Sequence, residues 1–412
     1  MKYKITFSKG SSVIYDNLDN SLTPEPDFSF AKEIVRPLRA QIEPQKPTFN
    51  STLEKLLPIK HLRVQLGLAC NYKCSFCIQQ TYDEKTCYPT DNEIESVVQF
   101  IASRTNQDVL CEFWGGEPLI YIKALRKLLP AIRKVRPAAK FSMISNGTLL
   151  TEDILEFLIE NRVNLAFSHD GPAYFLRGKD PLENDAMRRL WLQAYNRYTQ
   201  AGLTFCINCV ITQYNCDLFA LDAWFQQRLP NVPYKYEGVV IVHSANAIEF
   251  TSFLKHQRLL LDASIQRAVL GQDDNRVCHA FANSLKHILR FMTYRHDTAK
   301  ISAHCDAAKP NVLSIDMQGN ILSCHNVDAS QRVGHVNDAA DHFVVKSTFK
   351  HWSHRAQCQD CFCLVSCRGN CMRSNDEDHQ ASCRIQEVYH TALMKAALGL
   401  LYNDLVIDIN KV

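Results

Sequence analysis

Residues 61–77 read His61-Leu62-Arg63-Val64-Gln65-Leu66-Gly67-Leu68-Ala69-Cys70-Asn71-Tyr72-Lys73-Cys74-Ser75-Phe76-Cys77, a short apolar strand pattern that runs straight into three cysteines. Thiolates at Cys70, Cys74 and Cys77 are close enough in sequence to hold three corners of a cuboidal iron–sulfur cluster from a single loop. The fourth iron then has no protein ligand. A catalytic cluster needs such an open iron, because a cofactor or substrate can bind the metal directly, just as catalytic zinc sites keep one position free. Taken alone, the triplet also reads as a zinc loop or as unrelated core cysteines.

Outward from this stretch, short apolar runs alternate with amphipathic segments, the pattern of βαβ units. Strands are expected at about 61–67, 109–114, 140–145, 163–168, 203–211 and 236–243, with helices near 91–103, 121–134, 151–160, 184–200 and 217–229. Asp91 with Glu93 and Glu95, and Thr151 with Glu152 and Asp153, are helix starts, since side-chain oxygens and negative charge satisfy the unpaired N–H groups there. Right-handed crossovers gather all strand C-termini on one side. On that rim lie Cys70 to Cys77, then Gly115-Gly116-Glu117-Pro118, Ser145-Asn146-Gly147 and Ser168-His169-Asp170-Gly171.

Before this region, residues 1–60 hold apolar pieces broken by Pro24, Pro26, Pro37, Pro44, Pro47 and Pro58, which suits turns and short elements. After it come helical patterns at 251–269 and 277–293, a second cysteine-rich stretch at 301–384, and an amphipathic helix at about 385–402. The expected units are therefore 1–60, 61–250, a helical bridge at 251–300, 301–384 and 385–412. The cysteine-rich unit has too few apolar residues for a core of its own, and such units depend on metal for stability.

Bulk properties constrain the rest. The chain has 412 residues, 46% hydrophobic and 22% charged, with 46 Lys+Arg against 43 Asp+Glu. That balance gives no basic field to favour nucleic acid or an anionic membrane. No apolar run has the length of a membrane span, and the N-terminus lacks a signal sequence, so a cytoplasmic location is expected. In that setting 17 cysteines read as metal ligands or redox groups rather than a disulfide framework.

Cys-x3-Cys-x-aromatic-Cys after a rim strand, followed one β/α unit later by Gly-Gly-Glu-Pro, resembles the radical S-adenosylmethionine (SAM) superfamily. The resemblance covers residues 61 to about 245 and implies an α/β fold, a partial (β/α)6 TIM-type barrel, with SAM chelated to the open iron. It implies that Gly115, Gly116 and Glu117 contact the methionine amine, that Phe76 meets the adenine, and that Ser145 and Asn146 lie near the ribose or methionine. Ser168, Asp170 and Arg177 would line the remaining SAM site.

The second array reads Cys305-x13-Gly319-x4-Cys324, then Cys358-x2-Cys361-x5-Cys367-x3-Cys371 and x11 to Cys383. Two zinc sites would fit this spacing. Beside a radical SAM barrel it is similar to the SPASM domain, which holds two auxiliary [4Fe–4S] clusters and would bring the total to three. By that likeness Cys305, Cys324 and Cys371 bind auxiliary cluster I, and Cys358, Cys361, Cys367 and Cys383 bind cluster II. An eighth cysteine found in some members is missing here, so cluster I would have an open iron or recruit Cys278 or His304. Cys363 has no place in the frame, and Cys87, Cys111, Cys206, Cys209 and Cys216 read as small core residues. Sulfatase-maturing members carry an aspartate after the second cysteine of the array. Here His325 stands there, a side chain that titrates near neutrality and is the candidate catalytic base.

The resemblance implies an oxidoreductase that modifies a ribosomally made precursor peptide, with a reductase, flavodoxin or ferredoxin as electron donor. A carbon–carbon crosslink of the cyclophane type is favoured, from likeness around Asp170-Gly171-Pro172 and Arg177 to Leu182. Thioether formation is the first alternative and sulfatase maturation the second. A zinc-stabilised peptide-binding scaffold is the alternative of another class. Residues 1–60 are a candidate leader-docking extension by strand addition.

Overall fold

The computed structural model describes residues 1–24, 52–82, 88–241, 255–271, 275–294, 301–338, 343–346 and 350–412. The chain begins with β1 (Lys2–Phe7), β2 (Ser12–Asp16) and β3 (Ser21–Pro24), followed by the short β4 (Thr52–Lys55). Tyr3, Ile5 and Phe7, then Val13 and Tyr15, alternate inward, so one face of this meander is buried.

The β/α alternation then runs through β5 (Ile59–Gln65), α1 (Asp91–Arg104), β6 (Thr105–Trp114), α2 (Ile122–Val135), β7 (Lys140–Ser145) and α3 (Glu152–Glu160). It continues with β8 (Val163–Ser168), α4 (Asp185–Gln200), β9 (Phe205–Ile211), α5 (Leu218–Arg228) and β10 (Tyr234–Val239). These are the strands and helices expected from periodicity, with ends moved by a few residues. The strand β6 starts earlier, at the buried Thr105, which pairs with Ile59 of β5. Thr151 caps α3 as expected, but the cap of α1 is Thr90, in a reciprocal box with Glu93, with Asp91 as the first helical residue.

After α6 (Lys255–Leu270) and α7 (Arg276–Tyr294) come β11 (Val312–Asp316), β12 (Asn320–Leu322), β13 (Arg332–His335) and β14 (Phe343–Lys346). Next are the short helices α8 (Ala356–Gln359) and α9 (Leu364–Cys367), the long α10 (Asp376–Tyr402) and β15 (Val406–Lys411). The central sheet has nine strands in the order β10-β9-β8-β7-β6-β5-β11-β12-β13. From β10 to β5 all neighbours are parallel and in chain order. The fold is therefore mixed α/β around a parallel sheet, as a partial (β/α)6 barrel requires.

Three arrangements differ from expectation. The boundary placed at 301 does not divide the sheet: β11 lies parallel to β5, with Val312 opposite His61 and Asp316 opposite Gln65, so the second cysteine stretch extends the first unit's own sheet. The last helix starts at Asp376 rather than near 385, because Asn375 accepts from Asp378 N and Asp376, Glu377 and Asp378 fill the first turn; Cys383 is thus helical. The N-terminal meander is joined to the other end of the chain, in the order β15-β1-β2-β3. It packs on the cysteine-rich stretch, where Asn17 Nδ2 donates to Gln359 O and Cys361 O at 3.1 and 3.2 Å and the Tyr3 and Tyr15 rings meet Phe362. Among the described residues, no helix is long and apolar enough to cross a membrane.

Candidate functional site

Cys70, Cys74 and Cys77 lie in the loop leaving β5, and backbone contacts with the next strand fix where that loop starts. Gly116 N donates to Gly67 O (3.0 Å) and Glu117 N to Ala69 O (2.9 Å). A Cβ on Gly115 would stand 2.4 Å from Gly67 O, and one on Gly116 would stand 2.3 and 2.4 Å from Leu68 O and Ala69 O. Both glycines line the cavity described below, yet what demands them is this close approach of two strand ends. The N–H groups of Gly116 and Glu117 are used within the protein, joining the two strand ends.

Glu117 is tied into the same network through its side chain. Its side chain is buried; Oε1 accepts from Leu119 N (2.9 Å) and Ser145 Oγ (2.7 Å), and Oε2 from Asn146 N (2.7 Å). Burial raises its pKa, while those three donors act to lower it. Asn146 Nδ2 in turn donates to Asn71 Oδ1 (2.7 Å), and Asn71 Nδ2 to Thr148 Oγ1 (2.8 Å). The carboxylate is thus a tie that holds the ends of β6 and β7 to the cysteine loop. Reception of an ammonium group is not its only use.

The loop after β8 clamps the cysteines from the other side. Ser75 N donates to Leu176 O (2.7 Å) and the Tyr72 hydroxyl to Lys179 O. Two buried pairs stiffen this clamp. Gly171 N donates to His169 Nδ1 (3.0 Å), so the ring's proton sits on Nε2 and goes to Asp180 Oδ1 (3.0 Å). Arg177 grips Asp170 with Nε and Nη2 at 2.6 and 2.9 Å. Asp170 is fully buried behind Arg177, and Phe76 packs its ring 5.0 Å from the Arg177 guanidinium carbon. Asp170 and Phe76 both meet Arg177, which lines the cavity described below.

A cavity of about 760 Å³ opens where these loops meet. Cys70, Cys74 and Cys77 form one part of its wall, and Glu117, Ser145, Asn146, Ser168 and Arg177 another. Trp114, Gln79 and Asn326 also line it and were not anticipated. Trp114 was legible in principle, as the residue preceding Gly115 on β6. Asn326 comes from the second cysteine stretch, and nothing in its local sequence places it here. Gln79 Nε2 reaches Asn326 Oδ1 at 3.2 Å, and Asn326 N donates to Cys324 Sγ at 3.5 Å. One residue therefore separates this cavity from the second array.

His325 does not line the cavity. Its ring lies against Trp114, centroids 4.3 Å apart, and its Nδ1 accepts from Arg63 Nη1 (3.2 Å). Burial, with Arg63 beside it, pushes its pKa down to about 3. The expected base is thus packed against Trp114 with Nδ1 engaged by Arg63. Arg63 also binds Glu112 (3.0 Å) and Asp306 (3.2 Å).

The seven cysteines of the second array separate into two groups. Cys305, Cys324 and Cys371 interact with one another electrostatically, as do Cys358, Cys361, Cys367 and Cys383. Cys363 is buried beside the second group, its sulfur 3.2 Å from Thr391 Oγ1. His304 Nδ1 meets Arg368 at 3.2 Å, and the residue borders a separate cavity of about 480 Å³ with His287 and His390. Cys278 lies in the first turn of α7. Of the expected core thiols, Cys111, Cys209 and Cys216 are buried and Cys206 half-buried, while Cys87 lies outside the described residues.

Burial pushes the thiols up, Cys70 to about 12, Cys74 to about 11, Cys305 and Cys358 to about 12 and Cys383 to about 11. Metal binding at such sites releases protons. Among the described residues, no three His, Cys, Asp or Glu side chains converge closely enough to hold a single metal ion. The cysteines are grouped, but more widely than one ion requires. This donor set, all sulfur and beside an open cavity, fits cuboidal clusters.

Comparison with known proteins agrees with the geometry. Residues 64–214 match the family described as the Radical SAM superfamily. The chain is 26% identical over 184 residues to the radical SAM cyclopropyl synthase TigE of Paramaledivibacter caminithermalis, 40% of this chain and 38% of that protein. It is 22% identical over 349 residues to the cysteine-type anaerobic sulfatase-maturating enzyme of Clostridium perfringens, covering 77% of this chain and 90% of the relative. The solved structure of native anSMEcpe with bound AdoMet superposes with a TM-score of 0.60 at 18% identity, over 83% of this chain and 98% of that one. Residues 64–214 of this chain are a radical SAM domain, and the protein is an enzyme.

Proposed function

We propose that this enzyme modifies a peptide: it holds SAM on a cluster bound by Cys70, Cys74 and Cys77, and two further [4Fe–4S] clusters in a SPASM-type module. Cys305, Cys324 and Cys371 would hold one of these, and Cys358, Cys361, Cys367 and Cys383 the other. The observation that carries the reading is the convergence on one cavity of the three-cysteine loop, the ends of β6 to β8, and Asn326 from beside Cys324. When bound, cluster and SAM supply a 5′-deoxyadenosyl radical that removes a hydrogen atom from substrate.

The chain's own residues shape the rest. A cavity of about 760 Å³ is in the range that takes a cofactor-sized molecule with part of a substrate. Arg177 presents a fixed cation to it, and the strand-end network of Glu117, Ser145 and Asn146 keeps its wall rigid. A peptide substrate is supported by the sulfatase-maturating relatives, whose names make a protein their substrate. The favoured product is a crosslink in a ribosomal precursor peptide, with reduced flavodoxin or ferredoxin as electron source in the cytoplasm. The residues whose likeness pointed to a carbon–carbon bond, Asp170 to Leu182, are used in the buried pairs of the clamp. They therefore bear on site assembly, and mass measurement must decide the bond. Loss of two hydrogens from a coexpressed precursor whose cysteines remain free supports the carbon–carbon product over a thioether.

Anaerobic purification tests the core reading. Replacing Cys70, Cys74 and Cys77 by Ala should abolish 5′-deoxyadenosine formation and leave other iron bound; retained formation rejects the assignment. Cys305→Ala should keep some SAM cleavage and lose coupled product.

A further inference from the structure

We propose that Arg177 is a positioning residue for the catalytic cluster itself, placing a fixed positive charge beside the Cys74 sulfur and so raising the potential at which that cluster accepts an electron. The inference deepens the proposed function and rests on it. Arg177 and Cys74 share the cavity wall, with the guanidinium in hydrogen-bonding reach of the sulfur. Nε and Nη2 are both used on Asp170, which leaves further donors of the five-donor fork for the sulfur.

The guanidinium is held in place from behind and below. Asp170 is itself anchored, its Oδ1 accepting from Val210 N (2.8 Å) and its carbonyl from Asn215 Nδ2 (3.0 Å). The Phe76 ring packs against the guanidinium, its centroid 5.0 Å away. Meanwhile Ser75 N to Leu176 O and Tyr72 Oη to Lys179 O fasten the cysteine loop on either side of Cys74 to the segment that carries Arg177. Neither partner can drift from the other without breaking these bonds.

The reduced cluster carries one more negative charge than the oxidised one, and in a poorly solvated site a neighbouring cation favours the reduced form. Hydrogen bonds to ligand sulfur act in the same direction. Asp170 offsets part of the charge but sits on the far side of the guanidinium, so the pair presents its positive end to Cys74. The field of such a pair falls off steeply. It acts on the cluster of Cys70, Cys74 and Cys77 and leaves the two cysteine groups of the second array unmoved.

The test is an EPR-monitored redox titration of anaerobic holoenzyme with all clusters present, in which the catalytic cluster is recognised as the signal that changes on adding SAM. Arg177→Gln should shift that midpoint to lower potential, Arg177→Lys should shift it less, and signals from the other clusters should stay in place. Asp170→Asn keeps the guanidinium and a hydrogen-bond acceptor but removes the offsetting charge, so it should shift the same midpoint upward. A purely structural role gives no such pair of opposite shifts. Iron-replete Arg177→Gln with the parent midpoint overturns the proposal. If Arg177→Gln fails to retain iron, Asp170→Asn decides: an unchanged or lowered midpoint overturns it. Absence of any SAM-responsive signal in the unsubstituted protein overturns the proposed function, and this inference with it.

Discussion

Glu117→Gln tests whether the buried carboxylate is a structural tie. The substitution keeps size and shape but converts one acceptor oxygen to a donor. Oε1 accepts two hydrogen bonds, from Leu119 N at 2.9 Å and Ser145 Oγ at 2.7 Å, and Oε2 accepts one, from Asn146 N at 2.7 Å. The new amide oxygen should therefore take the place of Oε1, and its NH2 then faces the Asn146 N–H, donor against donor. The reverse orientation orphans Leu119 N instead. Either way one buried backbone N–H loses its partner, which costs about 1–3 kcal/mol. The loss is transmitted to the cluster loop, because the Asn146 side chain holds Asn71. Urea unfolding should show that loss at pH 7, and iron retained after chelator challenge should fall most at the SAM-responsive cluster. Stability within about 0.5 kcal/mol of the parent, a surface-like value, together with full iron retention would refute the role of Glu117 as a tie.

Two further predictions follow the same logic. Gly116→Ala brings a Cβ to 2.3 and 2.4 Å from Leu68 O and Ala69 O, both backbone atoms that cannot swing aside, so the cysteine loop should shift. The expected outcome is an unchanged far-UV circular dichroism spectrum with loss of SAM cleavage; full cleavage activity contradicts it. Metal-free protein should lose stability on the acid side. Burial, with Arg63 nearby, lowers His325 to about 3, and burial with His304 and Arg368 lowers His390 to about 3. Their unfolded counterparts titrate near 6.5, so the unfolded chain binds more protons as pH falls through that value. The stabilisation is complete above about pH 6.5 and is lost progressively towards pH 3. Half-buried Glu112 is held down to about 2 by His61, Trp114 and Arg63 against the rise from burial, and its contribution is lost as pH falls below about 4.5. A urea midpoint that does not fall between pH 7 and pH 5 refutes the histidine part.

The β/α alternation from residue 61 onward is readable because each strand is a short apolar run and each helix has a periodic face and a polar cap, all local properties. The same holds for the Cys70, Cys74 and Cys77 loop, whose ligands lie on one connection. The cap at Asn375 with Asp376, Glu377 and Asp378 is equally local, and it starts α10 well before the amphipathic stretch at 385–402. Alternation at Tyr3, Ile5 and Phe7 likewise marks a strand, while the prolines that favour turns lie at position 24 and beyond.

By itself, then, the sequence determined the strands and helices of the β/α alternation from residue 61 to about 243, that three thiols share the first rim loop, and that seven more lie in a second stretch. Only the tertiary structure decided that β15 closes against β1, that β11 continues the sheet beside β5, and that Asn326 reaches the cavity. It also decided that Glu117, Asp170 and Phe76 brace the site from behind its wall or within it, and that His325 is engaged by Arg63. The reason is physical: strand and helix formation depend on neighbours in sequence, whereas pairing partners, burial and the donor that meets a given oxygen depend on segments hundreds of residues apart.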